Sequence, residues 1–124
     1  MGRGALTEPS SLEGFPAFID DLPSPDSNVP MRARIVSGGD ILPMFYEVDT
    51  DIEIPEHRHG AQWGVVLEGS MEMMIGGEER LYSRGDTYFV PSGVDHVTRI
   101  RAGYRGIDVF ADPQRYVPRE GTAE

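Results

Sequence analysis

The chain has 124 residues, 21 acidic against 11 basic for a net charge of −10, and no cysteine. That length makes one domain. The missing thiols exclude disulfides, thiolate metal sites and a cysteine nucleophile, and the acidic balance excludes nucleic acid and anionic membrane surfaces as partners. No apolar run reaches the length of a membrane span, and Met1 to Pro9 lack the apolar core of a signal peptide. A cytoplasmic protein is the expectation.

Residues 1–30 read as an N-terminal tail and arm, 31–117 as a barrel and 118–124 as a C-terminal tail. Residues 1–14 are polar and aperiodic, so a mobile tail is expected. Phe15 to Leu22 is apolar on alternate positions and reads as an arm that docks on another sheet; Pro23 to Asn28 reads as a linker. From Met31 onward, alternation predicts strands over 31–37, 42–48, 53–59, 63–68, 70–75, 79–82, 87–90, 95–101 and 104–110. Turn residues separate them, notably Gly38-Gly39-Asp40, Gly76-Gly77 and Arg84-Gly85-Asp86. About nine or ten short strands without an ordinary helix are the pattern of an all-β sandwich, barrel or jelly roll.

All three histidines fall in two ordered stretches. His57 and His59 are one residue apart, so on a strand both point to the same face. Gln62 follows them, and His96 closes a stretch punctuated by Gly85, Pro91 and Gly93. Two parallel imidazoles and a third from a distant strand form a triangle suited to Zn, Fe, Ni or Cu, with open positions as in catalytic sites. A lone His-x-His is common surface decoration; the second stretch points independently to one metal site.

On the last strand, alternation puts Tyr104, Gly106, Asp108 and Phe110 on one face. Turned inward, Asp108 is a carboxylate inside the pocket and a general acid/base candidate; turned outward, it is a surface aspartate. Met44 and Tyr46 share a face and either line that pocket or fill the core. Arg115, just past the barrel, either reaches over the rim to a carboxylate or lies in solvent. Trp63 reads as core or dimer contact, and Met71, Met73 and Met74 as packing. A homodimer is expected, because the arm has no evident place in a minimal barrel and two-fold symmetry is the commonest oligomeric form.

These residues resemble the two motifs of the cupin family. The first matches at His57, His59 and Gly69, the second at Gly85, Pro91, Gly93 and His96. Asp51 stands for the leading glycine of the first motif, Gln62 for its glutamate with only two residues after His59, and Ile100 for the final asparagine of the second. The resemblance spans roughly residues 40–112. It implies a jelly-roll barrel with a metal inside, held by His57, His59, His96 and the amide oxygen of Gln62. Ni, Zn, Fe and Mn are the candidate ions. Such a ligand set is wholly neutral, so the ion keeps its full charge and favours Lewis-acid chemistry over oxidation of the metal.

The run from Ile107 to Arg115 also resembles a narrower cupin group that opens unsaturated uronate rings in pectin degradation. Asp108, Phe110 and Arg115 match that group by type, with one extra residue before the arginine. The resemblance implies a Lewis-acid, acid–base enzyme that opens or isomerises a small carboxylated or sugar-acid substrate. Asp108 would carry the proton, with Arg115, Tyr46, Tyr104 and Phe110 binding the substrate. The alternatives are a non-catalytic module that senses a small molecule and a metal-dependent dioxygenase.

Overall fold

A computed structural model describes residues 14–120 of the chain. One helical turn, α1 (Ala17–Asp20), precedes nine strands among the described residues. They are β1 (Arg32–Ile35), β2 (Leu42–Val48), β3 (Ile52–His57), β4 (Gln62–Glu68), β5 (Ser70–Ile75), β6 (Glu78–Ser83), β7 (Thr87–Val90), β8 (His96–Ile100) and β9 (Tyr104–Phe110). The all-β expectation holds. The mobile tail expected over 1–14 lies, but for Gly14, outside the described residues.

Two antiparallel sheets face each other, one in the order β1-β2-β9-β4-β7 and the other β3-β8-β5-β6. Alternate residues of each strand point between them, and register stacks these into rows. On the five-stranded sheet one row runs Leu42–Phe110–Gln62–Val90 and the next Met44–Asp108–Gly64–Tyr88. On the four-stranded sheet the row His57–His96–Ile75 is followed by Ile54–Thr98–Met73 and then Ile52–Ile100–Met71. Leu42, Ile35, Val48, Val66 and Val90 are fully enclosed and belong to the apolar core.

Two expectations are corrected. Residues 15–22 are not an extended arm reaching for another sheet. Pro16, which has no N–H to lose, accepts at its carbonyl from the N–H of Ile19 at 2.9 Å and opens α1. Phe15 is buried edge-on against Phe45 of its own barrel, ring centroids 5.7 Å apart, and Asp20 accepts from Arg34 at 3.0 Å. The strand expected over 53–59 ends at His57, after a register shift between Ile54 and His57. His59 therefore sits on the loop that follows.

The linker and the C-terminal segment meet beside the barrel. The Asp26 N–H donates to the Val117 carbonyl and the Arg119 N–H to that of Ser24, each at 2.8 Å. Among the described residues no helix is long and apolar enough to cross a membrane.

Candidate metal centre

His57 ends β3, His96 opens β8 directly across the pairing, and the loop after β3 turns His59 back over both. The ring centroids lie 4.1, 4.8 and 5.1 Å apart. One fact orients all three rings: each Nδ1 sits against a backbone carbonyl. His57 meets Pro55 at 2.8 Å, His59 meets Gly60 at 2.8 Å and His96 meets Val94 at 3.0 Å. A carbonyl can only accept, so each Nδ1 carries its proton and each Nε2 keeps a free lone pair. Fixing one ring nitrogen this way is how proteins aim the other at a metal.

The three available nitrogens lie within 4.8 Å of one another. Nitrogens about 2.1 Å from one tetrahedral ion lie about 3.4 Å apart, so the widest pair would close by about 1.4 Å on binding. The His59 Nε2 is buried with no hydrogen-bond partner among the described residues. An orphaned imidazole lone pair is costly unless something binds it. Burial pushes the His59 imidazole down to about 4 and lowers His96 as well, with Arg115 and the neighbouring rings contributing. Both are thus neutral near pH 7, the form a metal requires. The donor set fits a divalent transition metal.

Gln62 begins β4 on the opposite wall and lines the same cavity. Its Nε2 donates to the Asp108 Oδ2 at 2.9 Å. That bond assigns the amide, because a carboxylate can only accept, and it leaves the carbonyl oxygen as the atom able to ligate.

Asp108 points inward and is buried, 4 % exposed. Tyr88 donates to its Oδ1, and the Tyr88 hydroxyl lies 3.4 Å from those of both Tyr46 and Tyr104. Burial pushes the Asp108 carboxyl up to about 6, against hydrogen bonds from Tyr88, Tyr46 and Gln62. Burial also raises all three phenols. Gly64 makes the arrangement possible: a Cβ there would lie 2.2 Å from the Asp108 Oδ1 and 2.3 Å from the Tyr88 ring. Sequence reading passed over Tyr88 and Gly64. The signal for both was the inward alternation of β4 and β7.

Of the other candidates, Phe110, Arg115 and Tyr46 line the cavity with the histidines, whereas Tyr104 does not; it is enclosed behind Tyr88. Arg115 stacks over Tyr116 at 4.5 Å and Phe110 at 5.7 Å, which holds its guanidinium at the mouth. Asp95 faces away from the cavity and pairs with Arg58 at 3.7 Å. Trp63 is 43 % exposed, so it is not core.

Residues 44–103 match the family model described as Cupin domain. No curated protein matches the chain. Among solved structures, a conserved protein of unknown function from Streptococcus pyogenes is 24% identical, with a TM-score of 0.61 over 70% of this chain and 78% of that one. KdgF from Halomonas sp. is 22% identical, with a TM-score of 0.61 over 78% of this chain and 88% of that one. An oxalate decarboxylase from Bacillus subtilis is 20% identical, with a TM-score of 0.61 over 74% of this chain but only 28% of that one; Mn(II) centres are described for that enzyme. Residues 44–103 thus match a cupin domain, and the two sheets have the cupin fold.

Proposed function

We propose that this chain holds one divalent transition metal on His57, His59, His96 and the Gln62 carbonyl oxygen, and acts on a small carboxylated molecule bound beside it. The observation that carries the reading is the shared orientation of the three imidazoles, each pinned by a backbone carbonyl at Nδ1. A bound ion supplies Lewis-acid polarisation of a substrate oxygen. The remaining chemistry falls to the chain. Arg115, held on its aromatic shelf, takes the carboxylate of the substrate at the mouth. Asp108, one row below Gln62, gives or takes a proton there, as in an isomerase or lyase step. Its two hydrogen bonds leave further lone pairs on the carboxylate. Phe110 and Tyr116 exclude water from the rim.

The test is metal analysis of protein purified without a nickel column. About one ion per chain is expected, lost in His57→Ala and in His96→Ala together with the thermal stabilisation that added metal gives. Asp108→Asn should keep the ion, since its amide oxygen can still accept from Gln62 while its NH2 donates to the Tyr88 hydroxyl. Full metal content in both histidine variants would sink the assignment. Metal retention with no turnover of any small carboxylate would favour the sensing role over the enzyme.

A further inference from the structure

We propose that the ligand of this site is a small carboxylate with a compact apolar body, such as a short-chain 2-oxo acid, rather than a polyhydroxylated sugar acid. This rests on the metal-and-arginine reading above and narrows it. The polar groups of the cavity gather in one layer, the row of His57 and His96, the facing row of Gln62, and Arg115 at the mouth. Behind that layer the walls change character. The four-stranded sheet presents Ile54, Met73, Met71 and Ile100 in its next two rows, and Met44 faces them from the other sheet.

The hydroxyls of a sugar need partners along the length of the pocket. Three polar residues stand behind the metal layer, and two already hold partners, though Asp108 keeps spare lone pairs. Asp108 accepts from Gln62 and Tyr88, and the Tyr46 hydroxyl sits against that of Tyr88. Only Thr98 adds a further hydroxyl to that wall. A sugar bound there would bury hydroxyls against methionine and isoleucine, each losing its bonds to water without replacement. A hydrocarbon body instead gains from the same walls, and methionine thioethers adapt to its shape.

Size points the same way. The cavity is small, about 80 Å³. A branched 2-oxo acid of five carbons fills that space with its oxo and carboxylate oxygens at the metal layer.

Calorimetric titration of the metal-loaded protein, with metal content measured on the same sample, decides between the two ligands. 3-Methyl-2-oxobutanoate should bind at least about tenfold more tightly than D-glucuronate or an unsaturated uronate. Met73→Gln, which keeps the length of the side chain but adds hydrogen-bonding groups to the deep wall, should narrow that preference severalfold. Equal or tighter binding of a uronate overturns the proposal, as does an oxo acid that fails to bind at millimolar concentration or a preference unmoved by Met73→Gln. A sample without metal, whose histidine variants behave like the parent, overturns the underlying metal reading instead, so the two failures are distinguishable.

Discussion

Across the outside of the four-stranded sheet, one register row reads Glu53–Arg99–Glu72–Leu81, and its charges pair along and between rows. Across the outside of the five-stranded sheet, the row Pro43–Val109–Trp63–Phe89 carries no charge over four strands, and the adjoining row adds Phe45, Ile107 and Val65. The insides differ in the opposite sense. Behind the apolar outer face lies the buried network of Gln62, Asp108 and Tyr88, whereas behind the charged outer face lie His96, Thr98 and an apolar wall. The four-stranded sheet follows the ordinary rule of apolar inside and charged outside for most of its length. The five-stranded sheet inverts the rule at β4, where Gln62 points in and Trp63 points out. An inversion of this kind is costly on both faces, so each face needs a compensating role. The inner one is the candidate site, and contact with a second copy is the role to test for the outer one.

The inner half of the contrast breaks most sharply at Gly64. A methyl group there collides with the Asp108 carboxylate and the rigid Tyr88 ring. Gly64→Ala should cost about 3 kcal/mol of stability, the upper part of the range for overpacking a full core. It should also weaken metal binding, because Gln62 loses the acceptor that fixes its amide. Urea denaturation of the metal-free protein and metal titration check the two effects separately. Stability unchanged within about 0.5 kcal/mol, the scatter of neutral surface changes, would mean that Tyr88 and Asp108 are not locked together.

The outer half is tested by oligomeric state. The chain carries −10 overall, so two copies repel through most of their surface. The five-stranded outer face escapes this, for the charged row at its edge alternates Arg32, Glu47, Arg105 and Glu68. A two-fold dimer through that face is the expected state, with Trp63 at 43 % and Phe89 at 58 % exposure as its aromatic anchors. The N-terminal arm no longer supports this expectation, since Phe15 is spent on Phe45 of its own chain. Trp63→Glu should weaken the dimer by about 2 kcal/mol, or roughly thirtyfold in Kd. Leu81→Glu, at an even more exposed apolar residue on the other sheet, should leave it intact. Light scattering that gives the 13.7 kDa mass of one chain for the parent protein refutes the dimer.

How much of this was legible in the sequence depended on whether the determinant was local. The ranges 42–48, 70–75, 87–90 and 104–110 were read to the residue, because alternation bounded by glycine or proline is a local signal. The three histidines came from spacing alone. What escaped was set by partners far along the chain. The turn at Ala17–Asp20 forms where alternation suggested an extended arm, and α1 buries none of its own residues. His59 leaves the strand because a bulge precedes His57. Tyr104 alternates correctly onto the inner face, yet the Tyr88 ring, sixteen positions away, stands in the layer where it meets the Asp108 carboxylate. Local periodicity gives the face on which a residue lies, but its depth along that face depends on register between strands.

The smallest effect sharpens the comparison from its charged side. Both outer faces carry ion pairs, but of different physical kinds. Glu47 on the five-stranded sheet has a side chain only 6% exposed and is gripped by Arg32 at 2.5 Å and Arg105 at 2.6 Å. Arg99 on the four-stranded sheet is 44% exposed and meets Glu53 and Glu79 only at 3.8 Å. Charges in contact with water gain little from pairing, since solvent screens them and the long side chains lose freedom. A shielded carboxylate with two guanidiniums forms charge-assisted hydrogen bonds that water replaces poorly. Glu47→Ala should therefore cost about 1.5 kcal/mol, with much of that cost surviving in high salt. Arg99→Ala should cost less than about 0.5 kcal/mol and nothing once salt is added. Denaturant midpoints at low and high salt for the two variants make the measurement. Equal costs for both variants would mean that the two faces differ in apolar content alone. A larger cost for Glu47→Ala that persists in salt would show that the five-stranded face is built to be covered, since its charges are already tied down.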